Sequence, residues 1–517
     1  MSVTQPSSPA PSSAPASAPD IAPASDATPA PTPAPSSTPQ SPAPFERRID
    51  ARLILAVVAC GIMSFAGVVV ETAMNVTFPS LMAEFSVDTA SVQWITTGYL
   101  LVLACIVPLS SFLKRRFRTK QLFVAAIALF ASGTVMCAAA PSFWVLVAGR
   151  VVQGFGTGMA LPLMFNIVIE QTPISRMGLM MGVATLITAT APAVGPSVGG
   201  FIVETWGWRA IFLVLLPFLA VSFACGMWAI RQVSATERAR FGAGQFALLA
   251  GSFACLVFAT SAASTAGWLS GEVLGLLAGF VVLLAAFCAV VVRSREPLID
   301  VRAFRCVPFS LSTLYVVLFQ AIVLGLGYLI PYYAQTVLGA GEMQAGCLLL
   351  PGCIVGAVLA PLGGRILDAL GAARPLVFGA FAQLAAMACF WAFGFGEEAW
   401  VLAAVYVLIP IGQGFSMANT MTNGLSYLPE SLKPDGNAVF NTFQQLGGAV
   451  GMAVESSIVN AAQTLQPADL AAGTALGAHE ACAVLLAVSL VALACPLGAL
   501  VCAQKRPGRG GSPRRAS

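Results

Sequence analysis

Between Leu53 and Cys502 the chain is a succession of fourteen apolar runs, each about 20 residues or longer, the length a helix needs to cross a bilayer. They lie near 53–80, 91–113, 121–140, 143–169, 177–203, 209–230, 243–263, 272–292, 309–335, 343–364, 375–395, 400–424, 437–459 and 478–502. Hydrophobic residues make up 57% of the chain and charged residues 9%, which excludes an ordinary soluble domain. Only helices and closed barrels satisfy their backbone groups in lipid, and runs of this length are helical. The expected fold class is an all-α polytopic membrane protein with fourteen transmembrane helices.

The ends read differently. Residues 1–50 are mostly Pro, Ala, Ser and Thr, a composition expected to stay disordered because it buries too little apolar surface. Residues 504–517 form a short basic tail. The first run follows Arg47, Arg48 and Arg52 and reads as an uncleaved span entered from the cytoplasm. Placing residue 1 inside puts all of the 26 Lys and Arg residues except Arg150 and Arg209 in inside loops and tails, among them Lys114, Arg115, Arg116, Arg118 and Lys120 in one loop. That asymmetry predicts an inner, cytoplasmic membrane protein with both termini cytoplasmic. All thirteen cysteines but Cys306 lie in apolar runs and no Cys-x-x-Cys occurs, so they read as small core residues.

The fifth run contains Ala191-Pro192-Ala193-Val194-Gly195-Pro196-Ser197-Val198-Gly199-Gly200. Pro192 and Pro196 each remove a helical donor, while Gly195 and Gly199 stand one turn apart and offer a bare face to a second backbone. This is the make-up of a tightly packed, bent helix. A weak internal repeat accompanies it. Gln153-Gly154-Phe155 recurs as Gln413-Gly414-Phe415, and the Pro108 region matches Pro361-Leu362-Gly363-Gly364. Two copies in register predict two six-helix halves, 51–232 and 301–503, with a two-helix linker at 233–300, an organisation found in secondary transporters.

Three charged residues lie well inside runs: Glu71, Arg150 and Glu455. An ionisable group at membrane depth marks a pathway or a proton relay. Glu71 is the expected proton or cationic-substrate acceptor and Arg150 its partner, the alternative being a static pair that pins two helices. Glu455 is a further candidate. Polar residues within the runs include Asn75, Gln93, Gln153, Tyr315, Gln320, Tyr328, Asn419, Asn423, Asn441, Gln444 and Gln445, some lining a cavity and many bonding helix to helix. No phosphate loop and no metal-spaced His or Cys set is present, and the one histidine, His479, stands at the outer end of the last run, so neither an enzyme nor a bound cofactor, metal or nucleic acid is expected. A channel, a sensor and an importer remain as alternatives.

These motifs resemble the major facilitator superfamily, and within it the 14-span drug:proton antiporter family (EmrB/QacA-like), over about 52–503. Ala191 to Gly200 is similar to the family's antiporter motif, and Gly149-Arg150-Val151-Val152-Gln153-Gly154-Phe155-Gly156 to its Arg-containing motif. Glu71-Thr72-Ala73-Met74-Asn75 stands where most members carry Asp in place of Glu71. The loop after the second run departs from the family pattern, with Arg115 where an acid is expected. The second copy keeps it as Gly364, Asp368, Gly371 and Arg374. Glu71 with the degenerate first loop is nearest the lincomycin-resistance branch. The resemblance implies the major facilitator fold, gating loops at Arg116, Lys120, Gly364, Asp368 and Arg374, and proton-coupled export of lipophilic drugs or related molecules by a single chain. A specific metabolite such as an amino acid or siderophore is the alternative cargo.

Overall fold

The computed structural model describes residues 49–504 apart from 88, 93, 235, 237–240, 295–296 and 394–397. Both expected tails therefore lie almost entirely outside the described residues. Fourteen long helices follow in order: α1 (Ala51–Val76), α2 (Trp94–Arg116), α3 (Thr119–Ala138), α4 (Phe143–Gln171), α5 (Met177–Trp206), α6 (Arg209–Ala229), α7 (Ala243–Ala266), α8 (Gly271–Arg293), α9 (Val307–Thr336), α10 (Leu350–Leu370), α11 (Ala373–Phe393), α12 (Leu408–Ser426), α13 (Lys433–Leu465) and α14 (Leu470–Gln504). Among the described residues thirteen helices are long and apolar enough to cross a membrane. The exception is α13, 33 residues long, whose Asn437, Asn441, Thr442, Gln444 and Gln445 dilute its apolar character. A helix this polar crosses lipid only when neighbours cover it.

The packing repeats. α1 lies against α4, α5 and α6, while α2 and α3 flank α4, and α3 meets α6. In the second half α9 lies in the same way against α12, α13 and α14, while α10 and α11 flank α12, and α11 meets α14. The halves meet along two equivalent seams, α2 with α13 and α5 with α10. α7 and α8 pair with each other, and α7 rests on the α2–α13 seam. The chain thus has two six-helix halves plus two additional helices.

Small residues set how closely these helices approach. A Cβ on Gly156 would stand 2.6 Å from the Ala126 carbonyl oxygen of α3, and one on Gly379 2.7 Å from the Gly412 carbonyl of α12. In lipid, association depends on such contact because lipid tails are as apolar as the side chains. The repeat seen in the sequence has the same basis. Gly154 meets the backbone of α2 at Tyr99, and its counterpart Gly414 meets the backbone of α10 at Gly356 and Ala360.

Several apolar runs are divided. α1 ends at Val76, where the Thr77 hydroxyl donates to the Met74 carbonyl (2.7 Å), and a short helix Phe78–Phe85 follows. Its Glu84 accepts a hydrogen bond from the Trp208 indole (2.6 Å) and pairs with Arg209 (2.7 Å) at the start of α6. The Trp208 N–H, with Arg209 adding to it, holds the Glu84 carboxyl below the ordinary carboxylate range. A depressed folded value means the tie stabilises above the unfolded pKa and is lost as pH falls through the folded one. Thermal scans of Glu84→Gln and the parent should therefore converge on acidification, from a gap below about 1 kcal/mol for so exposed a pair.

Candidate functional site

Between the halves lies a cavity of about 430 Å³. Glu71 and Thr72 of α1, Thr188, Pro192 and Pro196 of α5, Gln320 and Tyr328 of α9, Gln413 of α12, and Asn441, Gln444 and Gln445 of α13 contribute to its wall, filled out by Val68, Leu161, Phe165, Leu324 and Met452. Tyr328 and Tyr332 stack with ring centroids 5.5 Å apart. The wall is mainly apolar, with amides and a carboxyl at separate points, the make-up of a small-molecule site.

The Pro-Gly stretch makes one side of it. α5 runs unbroken through Pro192 and Pro196, which leave the carbonyls of Thr188 and Pro192 without helical donors at the cavity wall. Gly195 and Gly199 face α1. A Cβ at 195 would overlap Thr72 and stand 2.9 Å from the Val69 carbonyl, and one at 199 would stand 2.6 Å from the Ala73 Cβ. Gly200 follows, half-buried. The seam is therefore closest beside Glu71, and it fixes where that carboxyl enters the cavity.

Arg150 does not form a close ion pair with Glu71. Its Nη1 donates to Gln153 Oε1 (2.9 Å), its Nε to the Ile95 carbonyl (3.5 Å), and its guanidinium lies 4.1 Å from the centre of the Tyr99 ring. Gln153 in turn donates to Thr134 (2.8 Å) on α3. The Tyr99 hydroxyl lies 3.1 Å from the Gly67 carbonyl and 3.0 Å from the Thr157 hydroxyl. Gly67 is one turn before Glu71 on α1. Arg150 is thus held by α2 and α4, and it reaches α1 through Tyr99. It is fully buried, Nη2 has no partner, and its charge acts on Glu71 through space. The arrangement is a fixed cation near a carboxyl that remains free on the cavity side.

Of the other cavity candidates, Gln320 and Tyr328 line the wall. Gln153 is spent on Arg150 and Thr134. Asn419 donates to the Gly363 (3.0 Å) and Phe415 (2.7 Å) carbonyls, tying α12 to α10. Asn423 is buried, with its carbonyl accepting from Ser426 (2.7 Å), away from the wall. Gln93 lies outside the described residues, as does the Asn75 side chain. Gln413 was missed, although it is the repeat partner of Gln153 and that correspondence was the available signal.

The ion pairs and hydrogen bonds between the halves gather at the end carrying the basic loops. Asp368 accepts from the Gly178 (2.8 Å) and Leu179 (3.0 Å) amides at the first turn of α5. There Gly364 and Gly178 touch backbone to backbone. A carboxylate on a helix N-terminus is favoured by the exposed amides and the dipole. On the equivalent seam the polarity is reversed. Arg115 lies 3.8 Å from Asp435 in the first turn of α13, and Ser111 donates to the same carboxylate. Arg115 also donates to the Pro297 (2.9 Å) and Leu298 (3.2 Å) carbonyls of the strap between α8 and α9. Asn437 donates across the same seam to Asn166 (3.0 Å) and the Pro162 carbonyl (3.1 Å), while Lys114 pairs within the first half with Glu170 of α4 (2.7 Å). Among the described residues Arg116 and Arg374, both exposed, join no acid, and Lys120, half-buried in the first turn of α3, has no acid partner. The contacts across the seam are made here by Ser111 and Arg115, which face α13.

Glu455 lies behind the cavity wall on α13, 1% exposed.

Comparison with known proteins places this geometry. Residues 58–452 match the family model described as Major Facilitator Superfamily. The lincomycin resistance protein LmrB of Listeria monocytogenes is 34% identical over 84% of this chain and 94% of its own. The multidrug resistance protein B homolog of Mycobacterium tuberculosis is 29% identical over 80% and 77% respectively. The human organic anion transporter MFSD10 (TETRAN) shares the fold, with a TM-score of 0.60 over 85% of this chain and 99% of that one at 14% identity. The paired six-helix halves and the matched segment running from α1 into α13 lead to one assignment: the chain belongs to the major facilitator superfamily.

Proposed function

We propose that the chain is a proton-coupled exporter of lipophilic small molecules, drugs among them, in the cytoplasmic membrane. The observation that carries this reading is Glu71, a carboxyl set in the wall of a largely apolar cavity with a fixed cation behind it and no partner of its own in close contact. A group so placed accepts either a proton or a cationic cargo, and competition between the two is the basis of antiport. Relatives named for lincomycin and multidrug resistance support the cargo class. Export as the direction rests on the likeness of Pro192 to Gly200 to the antiporter motif.

With the basic loops cytoplasmic, both termini are inside, and the Arg115–Asp435 and Asp368 contacts seal the cavity from the cytoplasm. The boundaries 51–232, 233–300 and 301–503 then delimit the two rocking halves and their linker. One chain encloses the whole cavity, so a monomer suffices. Cells expressing the protein should accumulate less of a lipophilic cationic dye than cells lacking it, and a proton uncoupler should remove the difference. An uncoupler-insensitive difference overturns proton coupling, and greater accumulation on expression overturns export.

A further inference from the structure

Glu455 is the second carboxyl buried at membrane depth, and the cavity does not account for it. Both of its oxygens are buried without a hydrogen-bond partner. It sits at the end of a row on α13. A Cβ on Gly447 would stand 2.5 Å from the Val317 carbonyl of α9, Gly451 touches the backbone of Ala321, and Glu455 lies over Gly325, where a Cβ would overlap its carboxyl. This row repeats on the second half the close α1–α5 seam, with a carboxyl occupying the third place. Gly325 is thus the gap into which the acid fits.

Among the described residues no cation lies close to it. α9 brings Tyr328 and α14 brings Cys482, the titratable groups close enough to sense Glu455. α7, which approaches where the Ser457 hydroxyl meets the Ala263 carbonyl (3.4 Å), has no charged residue or histidine along its length, and Cys255 is its one titratable side chain. The cations of α2, Lys114 to Arg116, are at that helix's far end. An ionised carboxylate here would have neither donor nor counter-charge, whereas a neutral acid fits. The way out is short, because Tyr328 and Met452, each one turn from the site, line the cavity.

We infer that Glu455 is a second proton-carrying site, loaded in this conformation and emptied when α13 shifts along α9 to bring its carboxyl to water in the cavity. The proton binds a carboxylate oxygen from one side of the membrane and leaves to the other, in addition to the proton exchanged at Glu71. The inference rests on the proposed proton coupling. Infrared difference spectroscopy of the purified full-length protein at neutral pH tests the loaded state. Glu71→Gln should show the C=O stretch of a buried protonated carboxyl, sensitive to deuterium, and the double variant Glu71→Gln/Glu455→Gln should lack it. Persistence of the band in the double variant overturns the inference.

Proteoliposomes with ethidium as cargo test the transport step. Each coupled proton contributes about a tenfold accumulation ratio per pH unit of gradient, so Glu455→Gln should fall about tenfold at one unit while still binding ethidium. An unchanged ratio overturns the inference. Absence of gradient-driven flux in the parent overturns the proposed function instead, and the infrared band still reports on Glu455. Should Glu455→Gln not fold, Glu455→Asp provides the same reading, since its band must move relative to that of Glu71→Gln when the two changes are combined. An unmoved band overturns the assignment.

Discussion

Glu71→Gln is expected to leave the protein folded in the membrane and to lower gradient-driven transport by about a hundredfold or more, the typical worth of a positioned proton-transfer group. Folding should survive because no close ion pair is broken. Arg150 keeps Gln153, the Ile95 carbonyl and the Tyr99 ring as its partners, all independent of Glu71. Gln has the shape of the neutral acid, so the α1–α5 seam at Thr72 and Gly195 is undisturbed. What is lost is the exchangeable proton. Had the two residues formed a static pair pinning α1 to α4, neutralising one would leave a buried charge uncompensated and cost roughly 3–5 kcal/mol. The two accounts part on stability: unchanged melting with lost coupling supports the carrier role, whereas lowered melting or retained coupling in proteoliposomes excludes it. Arg150→Lys should also impair coupling, because a point charge replaces neither the planar stack on Tyr99 nor the bond to Gln153.

Much of the helical plan was legible because each run had to cover its own backbone in lipid, and that requirement writes length and hydropathy into the sequence. The halves were legible through Gln153 and Gln413, whose neighbouring glycines Gly154 and Gly414 make equivalent backbone contacts. Side-chain destinations were less so. Gln153, Asn419 and Asn423 are of the same chemical type as Gln320 and Gln413, and only helix rotation decides which face the cavity. The partner of Arg115 was hidden for another reason. Asp435 is more than 300 residues away and lies just before the apolar run 437–459, so no pattern in the sequence links the two. Arg115 stands where the resemblance leads one to expect an acid, and the acid it meets is on the partner helix.

That exchange predicts an asymmetric response at the sealed end. Arg115→Gln leaves Asp435, 2% exposed, with Ser111, the Asp300 backbone amide and the α13 N-terminus for compensation but no counter-charge, and it also frees the Pro297 and Leu298 carbonyls. Uncovering a buried charge in this way costs about 3 kcal/mol, roughly a hundredfold in the population of the sealed state. Asp435→Asn should cost nearer 1 kcal/mol, since Arg115 is a quarter exposed and retains water and two carbonyls. The double variant should recover much of the Arg115→Gln loss, because the uncovered charge is gone. Charge reversal at both positions should restore the seal only in part, as an Arg in the first turn of α13 opposes the helix dipole. Arg116 and Arg374 are exposed, lie in different halves and take no part in the contacts, so they are suitable label sites. Spin labels introduced there through an unnatural amino acid spare the native cysteines. The distance distribution should lengthen most for Arg115→Gln, less for Asp435→Asn, and shorten again in the double variant. Additive single effects would mean that the two residues act separately, and would remove the exchanged pair as the device closing this end.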